Sequence, residues 1–323
     1  MNVQDFIAKK RRGERISMVT CYDAWSARLI AGTAIDCVLV GDSLAMVVHG
    51  HDTTLPADSA MMAAHTAAVR RGAPEAFIIG DMPFLSYRGG IESAVENAGL
   101  LMQAGANAVK LEGAAGNVET VRYLVESGIP VMGHLGLTPQ SVHQLGGFRV
   151  QGRGDEAAAR LRAEALQLQE AGCFSIVLEA MPAAVANDVS EALAIPTIGI
   201  GAGPGTDGQV LVLHDLLGFN TEFRPKFVRT WMDGAAQVRS ALDGFHDAVV
   251  DGCDVNGCTL REAILNANAD ADSTGGDCPA GGGAAVAVDL DAAPIIETAG
   301  ALDHGPGIGL TVRSDAPENA ARS

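Results

Sequence analysis

Short β-branched runs alternate with Ala-rich amphipathic stretches through the first 252 residues, and this alternation limits the possible folds more than any other property of the chain. Runs at 16–21, 37–40, 77–80, 108–111, 130–133, 175–178, 197–200 and 210–213 read as strands. Each is short and apolar, as a parallel strand buried on both faces must be. Amphipathic helices are predicted over 24–31, 58–71, 91–104, 117–126, 155–171 and 183–192, with Gly105, Gly128 and Gly172 where helix C-termini close. Eight such runs, most followed by a helix, predict an α/β fold of the (β/α)8 TIM-barrel type. A doubly wound parallel sheet is the alternative, because alternation alone does not decide closure. Residues 214–250 are expected to supply the last helices, and 3–11 an extra N-terminal helix across the barrel bottom.

The pattern stops near Gly252. Residues 253–323 contain no Phe, Tyr or Trp and are dense in Ala, Gly and Asp, including Gly281, Gly282 and Gly283. Such a segment cannot bury enough large side chains to offset its ordering entropy, so an acidic, mostly disordered tail is expected after a catalytic domain of 1–252. The formal charge of −17 divides accordingly: 19 basic against 28 acidic residues (−9) in 1–252, and 3 against 11 (−8) in 253–323. This acidity argues against nucleic acid or an anionic membrane as a partner. No apolar run approaches the roughly 18 residues needed to span a bilayer, and no apolar region follows the basic cluster Lys9 to Arg12 as a secretory signal would require. Six cysteines in 323 residues do not make a disulfide framework. A cytoplasmic protein with reduced thiols is expected.

Polar residues collect where the strands end. The first strand runs into Asp23, the second into Asp42 and Ser43, and the third into Asp81. The fourth carries Lys110 and ends at Glu112, the fifth ends at His134 and the sixth at Glu179. In a barrel these ends converge on the face where the chemistry of such folds sits. Carboxylates gathered in one mouth repel one another unless a cation neutralises them. Asp42, Asp81 and Glu112 are hard oxygen ligands and suit Mg²⁺ better than Zn²⁺. A single acidic residue after a strand is as easily a helix N-cap, and Asp23, directly before a helical stretch, is the one best read so.

Several segments together resemble one family: Val19-Thr-Cys-Tyr-Asp23, Val40-Gly-Asp-Ser-Leu44, Asp81-Met-Pro-Phe84, Val109-Lys-Leu-Glu-Gly113, Gly133-His-Leu-Gly-Leu-Thr-Pro-Gln140 and Leu145-Gly-Gly-Phe148. Leu178-Glu-Ala-Met-Pro182, Ile198-Gly-Ile-Gly-Ala-Gly203, Asp207-Gly-Gln-Val-Leu-Val212 and Lys226-Phe-Val228 complete the set. In order and spacing these resemble the 3-methyl-2-oxobutanoate (ketopantoate) hydroxymethyltransferases over nearly all of 1–252. The resemblance implies a (β/α)8 barrel that transfers a one-carbon unit from 5,10-methylenetetrahydrofolate to 3-methyl-2-oxobutanoate, giving 2-dehydropantoate for pantothenate biosynthesis. It further implies that Asp42, Asp81 and Glu112 serve a divalent metal, usually Mg²⁺, and that Ser43 and Lys110 hold the substrate, which Asp42 and Asp81 meet through the metal. Glu179 would be the proton acceptor, and the assembly a homo-oligomer, commonly a decamer. The folate pocket is not assigned to residues.

Some positions depart from the family pattern: Ala45 and Leu85 stand where Gly is common, and Ala180 where Cys is frequent. Leu85 is expected to narrow the mouth of the site. His134 is read either as a hydrogen-bond partner of substrate or carboxylate or as a structural histidine, and Ser43 either as a substrate contact or a helix cap. The glycines from Gly199 to Gly205 lack dinucleotide-loop spacing and contain Pro204, so a rim loop is the better reading. Cys253, Cys258, Cys278 and His304 lack zinc-site spacing, and the Lys9 to Arg12 cluster reads as a solvated helix end. A folate-independent lyase or mutase acting on 2-oxo acids through the same metal carboxylates is the second hypothesis. A non-catalytic scaffold is the third, disfavoured because a scaffold has no reason to keep clustered carboxylates.

Overall fold

The structure is a computed structural model that describes residues 1–222 and 224–250. It forms two units, Met1–Asp233 and one that begins at Gly234. Of the second, the helix Gly234–Val250 is described. The expected tail, with Cys253, Cys258, Cys278 and His304, lies outside the described residues.

Eight parallel strands close in chain order: β1 (Ile16–Thr20), β2 (Cys37–Val40), β3 (Ile78–Asp81), β4 (Ala108–Glu112), β5 (Val131–Gly136), β6 (Ser175–Glu179), β7 (Thr197–Ile200) and β8 (Gly208–Leu211). Closure comes from β8 pairing β1, with Gly208 opposite Ile16 and Leu211 opposite Val19. The doubly wound alternative is thereby excluded. Strand β8 starts two residues before the apolar run suggests. Gly208 packs so tightly onto the Ile16 backbone that any side chain would collide with it, so pairing begins at a residue with no hydrophobic signal.

The period of two along each strand sorts side chains between two cores. Val109, Leu111, Ile176 and Leu178 face the surrounding helices. Ile79, Ala108, Met132 and Val177 fill the barrel interior. Continuing the inward series past these apolar layers brings Asp81 from β3, Lys110 and Glu112 from β4, His134 from β5 and Glu179 from β6 to the C-terminal mouth. One alternation thus makes both the floor and the site.

The bottom is plugged by the helix Val3–Arg12, whose N-cap Asn2 and Asp5 form a reciprocal capping box. Phe6 is fully buried, its ring centroid 5.2 Å from that of Phe77 and 5.0 Å from that of Phe174. The basic end of this helix is not simply solvated. Lys9 pairs with Asp36 at 2.6 Å, and Lys10 reaches Asp207 at 2.9 Å and the Ser190 carbonyl at 2.7 Å, tying the plug to the barrel underside. Gly105, Gly128 and Gly172 each follow a helix cap residue with positive φ, as the sequence suggests. No helix among the described residues is long and apolar enough to cross a membrane.

Candidate active site

A cavity at the C-terminal mouth is lined by residues that include Asp42, Ser43, Asp81, Lys110, Glu112, His134 and Glu179. All six sequence-selected site residues therefore meet in one place. Asp42, Asp81, Lys110, Glu112 and His134 are buried, while the Glu179 side chain keeps 19% of its surface exposed.

Lys110 Nζ lies 2.8 Å from Asp81 Oδ1. The other Asp81 oxygen accepts the Asp42 backbone N–H at 3.1 Å, which holds the two residues together across β2 and β3. Burial, and then the charges of Asp81 and Glu112, push the Asp42 carboxyl well above the usual range, and Lys110 and Gln140 only partly oppose this. Burial also raises Asp81, against the pull of Lys110. Burial alone would lower the Lys110 ammonium, but the fields of Asp81, Glu112 and Asp42 overcome it and hold the lysine charged.

His134 stands between two carboxylates, with Nδ1 3.2 Å from Glu112 Oε1 and Nε2 3.1 Å from Glu179 Oε2. Burial and the nearby Lys110 lower its pKa, but the bonds to Glu112 and Glu179 dominate and raise it to about 9. Lys110 Nζ also lies 3.3 Å from Nδ1, but a proton on Nδ1 directed at Glu112 leaves no lone pair there for the lysine. Glu112 accepts a second bond, from the Gln140 backbone N–H at 3.0 Å. Although burial opposes ionisation, His134 and Lys110 keep its pKa below the ordinary value. The sequence left His134 between two readings; here it touches carboxylates on both sides.

Ser43 precedes the short helix Leu44–Val47 but makes no side-chain cap bond; its Oγ lies 2.9 Å from Tyr22 Oη and faces the cavity. Asp23 is the cap, accepting the Ser26 N–H at 2.8 Å. Leu85 does not line the cavity and so does not narrow its mouth. It is exposed, with φ of +62°. Ala180, next to Glu179, also has positive φ, +44°. Gly136, opposite Glu179 in the sheet, meets the Glu179 carbonyl where a side chain would stand, so β5 and β6 can close only over a glycine. Gln140, which closes one of the family-like segments, and Tyr87 were assigned no role from the sequence; both are buried and stand outside the cavity lining.

The donor set suits a hard divalent cation. Asp42 and Asp81 are paired, buried and raised together, and Asp81 Oδ1 takes part in no hydrogen bond beyond its ion pair with Lys110. Among the described residues no group of three or more His, Cys, Asp or Glu is assembled as a ready cage, since Glu112 is turned toward His134 and Gln140. Two carboxylates completed by substrate and water is the usual arrangement for Mg²⁺.

Residues 1–253 match the profile described as Ketopantoate hydroxymethyltransferase. The 3-methyl-2-oxobutanoate hydroxymethyltransferase of Bdellovibrio bacteriovorus is 57% identical over 247 residues, 76% of this chain and 94% of its own. That of Coxiella burnetii is 55% identical over 250 residues, 77% and 94% of the two chains. Among solved structures, 2,3-dimethylmalate lyase superposes with a TM-score of 0.55 at 17% identity over 85% of this chain and 97% of that one. Phosphonopyruvate hydrolase with oxalate and Mg²⁺ gives 0.55 at 12% identity over 82% and 94%. The structural likenesses show the barrel alone, whereas the sequence matches decide the family: the chain belongs to the ketopantoate hydroxymethyltransferases.

Proposed function

We propose that the protein transfers a one-carbon unit from 5,10-methylenetetrahydrofolate to 3-methyl-2-oxobutanoate, forming 2-dehydropantoate, a step of pantothenate biosynthesis. The observation that carries this reading is the coexistence, in one cavity, of a cation-suited Asp42–Asp81 pair, a charged Lys110 and a separate carboxylate, Glu179, on β6.

Asp42 and Asp81 would hold Mg²⁺, with Glu112 beside them, and the cation would supply positive charge to the oxygens of the 2-oxo acid. Lys110 and Ser43 bind the substrate, Lys110 adding fixed positive charge where the oxygen at C2 gains negative charge. Glu179 removes the proton from C3. Over the transfer the methylene carbon gives up both of its bonds to folate nitrogens and gains one bond to C3 of the enolate and one to the oxygen of a water. The proton from C3 and one proton of that water end on the two nitrogens, leaving tetrahydrofolate. His134 Nε2, 3.1 Å from Glu179 Oε2, holds Glu179 toward C3. Assembly as a homo-oligomer, a decamer by the family resemblance, belongs to the same proposal, and light scattering on the full chain measures it.

The test is to incubate the protein with Mg²⁺, 3-methyl-2-oxobutanoate and methylenetetrahydrofolate and look for 2-dehydropantoate. Absence of product from folded, cation-loaded protein would falsify the transferase reading. Turnover of a 2-oxo acid without folate would favour the lyase or mutase.

A further inference from the structure

Gln140 lies in the 3₁₀ turn Pro139–Ser141 that follows β5, with its backbone N–H and both ends of its side-chain amide hydrogen-bonded. Its backbone N–H donates to Glu112 Oε2 at 3.0 Å. Its Nε2 donates to Asp42 Oδ2 at 2.8 Å and to the Met82 carbonyl at 3.0 Å, and its Oε1 accepts the Tyr87 hydroxyl at 2.7 Å. The amide cannot be turned round, because the Met82 carbonyl only accepts and must face nitrogen. Tyr87 agrees with this choice: its hydroxyl takes the Glu112 N–H at 3.3 Å and donates to Oε1 at 2.7 Å, a nearer acceptor than the Glu112 carbonyl at 3.4 Å.

A chain of polar contacts therefore runs Asp42–Gln140–Glu112–His134–Glu179, with steps of 2.8, 3.0, 3.2 and 3.1 Å. Gln140 is the one member that is both neutral and outside the cavity lining. A neutral donor can hold one oxygen of Asp42 without adding a charge that competes with a cation for the carboxylate. We propose that Gln140 is a positioning residue of this site. Its side chain fixes the direction in which Asp42 presents its other oxygen to the cation, its backbone anchors Glu112, and Tyr87 locks the amide. The inference rests on the assignment of Asp42 to the cation made above.

The experiment is Mg²⁺ binding by calorimetry without substrates, together with the Mg²⁺ concentration giving half-maximal turnover, in wild type, Gln140→Met, Tyr87→Phe and Asp42→Asn. Methionine keeps the length and volume of glutamine and removes only the polar end. Gln140→Met should weaken Mg²⁺ binding by about 10–100-fold, the usual effect of losing a residue that orients a metal ligand. It should raise the half-activating concentration in proportion, with kcat recovering at high Mg²⁺. Tyr87→Phe should move both quantities the same way by a smaller factor, and supplies the result if Gln140→Met does not fold. A purely structural role predicts fewer active molecules with an unchanged half-activating concentration. Mg²⁺ binding within twofold of wild type in both variants, while Asp42→Asn loses it, overturns the role of Gln140 and leaves the site intact. Undiminished binding in Asp42→Asn overturns the assignment of Asp42 instead, and the inference with it.

Discussion

His134 Nε2 lies 3.1 Å from Glu179 Oε2 while the other nitrogen of the same ring, Nδ1, engages Glu112, so the proposed base is positioned by a residue that is itself held. Glu179→Gln should retain 3-methyl-2-oxobutanoate binding but slow exchange of the C3 proton with solvent by about 10²–10⁴-fold, the range for losing a general base. His134→Gln should slow it by about 10–100-fold, because the carboxylate remains and only its aim is lost. Deuterium exchange followed by NMR measures both. Normal exchange in Glu179→Gln removes that residue from the role.

Leu85 carries a left-handed backbone without being glycine, and its side chain is more than half exposed. A left-handed residue with a Cβ costs about 1–2 kcal/mol, and glycine returns part of that gain as unfolded-state entropy. Leu85→Gly should therefore stabilise the protein by about 0.5–1 kcal/mol in denaturant titration, with Leu85→Ala showing no gain. A destabilised glycine variant would mean that the leucine side chain contributes more than its backbone costs.

Asp36 joins the N-terminal plug to the barrel. It pairs with Lys9 at 2.6 Å and accepts the Ser17 N–H at 2.8 Å and the Ser17 hydroxyl at 3.0 Å. Burial raises its pKa, but Lys9 and Ser17 outweigh burial and bring it below the ordinary value. A carboxyl depressed on folding adds stability above its unfolded pKa, near 3.9, and that stability disappears as pH falls through the folded value. Asp36→Asn should cost about 1–3 kcal/mol at pH 7, and its melting-temperature gap from wild type should close below about pH 4. A gap of constant size from pH 7 to pH 3 would show that the charge of Asp36 contributes nothing.

The strands and the inward carboxylates were legible because each is a local signal: a short apolar run, then a polar residue at its end. Asp81, Lys110, Glu112, His134 and Glu179 all continue a strand alternation that can be counted from the sequence. Gln140 and Tyr87 have no such mark. They are neutral, lie 53 positions apart and meet only because β3 and β5 flank β4. The grip of Lys10 on Asp207 spans 197 positions and exists only once the barrel has closed, so a basic run that reads as solvated becomes a clamp. Leu85 was misjudged for another reason: its departure from glycine was visible, but only the backbone shows that it concerns φ and not the width of the mouth.

A chain ending at Gly252 should keep most of the transferase activity. The family match stops at residue 253, and relatives aligned over 94% of their own length reach only 76–77% of this chain, so they perform the named reaction without a counterpart to the last 71 residues. The cavity lining runs from Thr20 to Val212, well before the cut. The segment removed carries a net charge of −8, and its loss also tests whether that acidity serves solubility or assembly and not catalysis. The comparison is kcat and KM for 3-methyl-2-oxobutanoate, with the oligomer size by light scattering, in the full and shortened chains. A soluble truncated protein of unchanged size that has lost turnover would place part of the catalytic apparatus beyond residue 252.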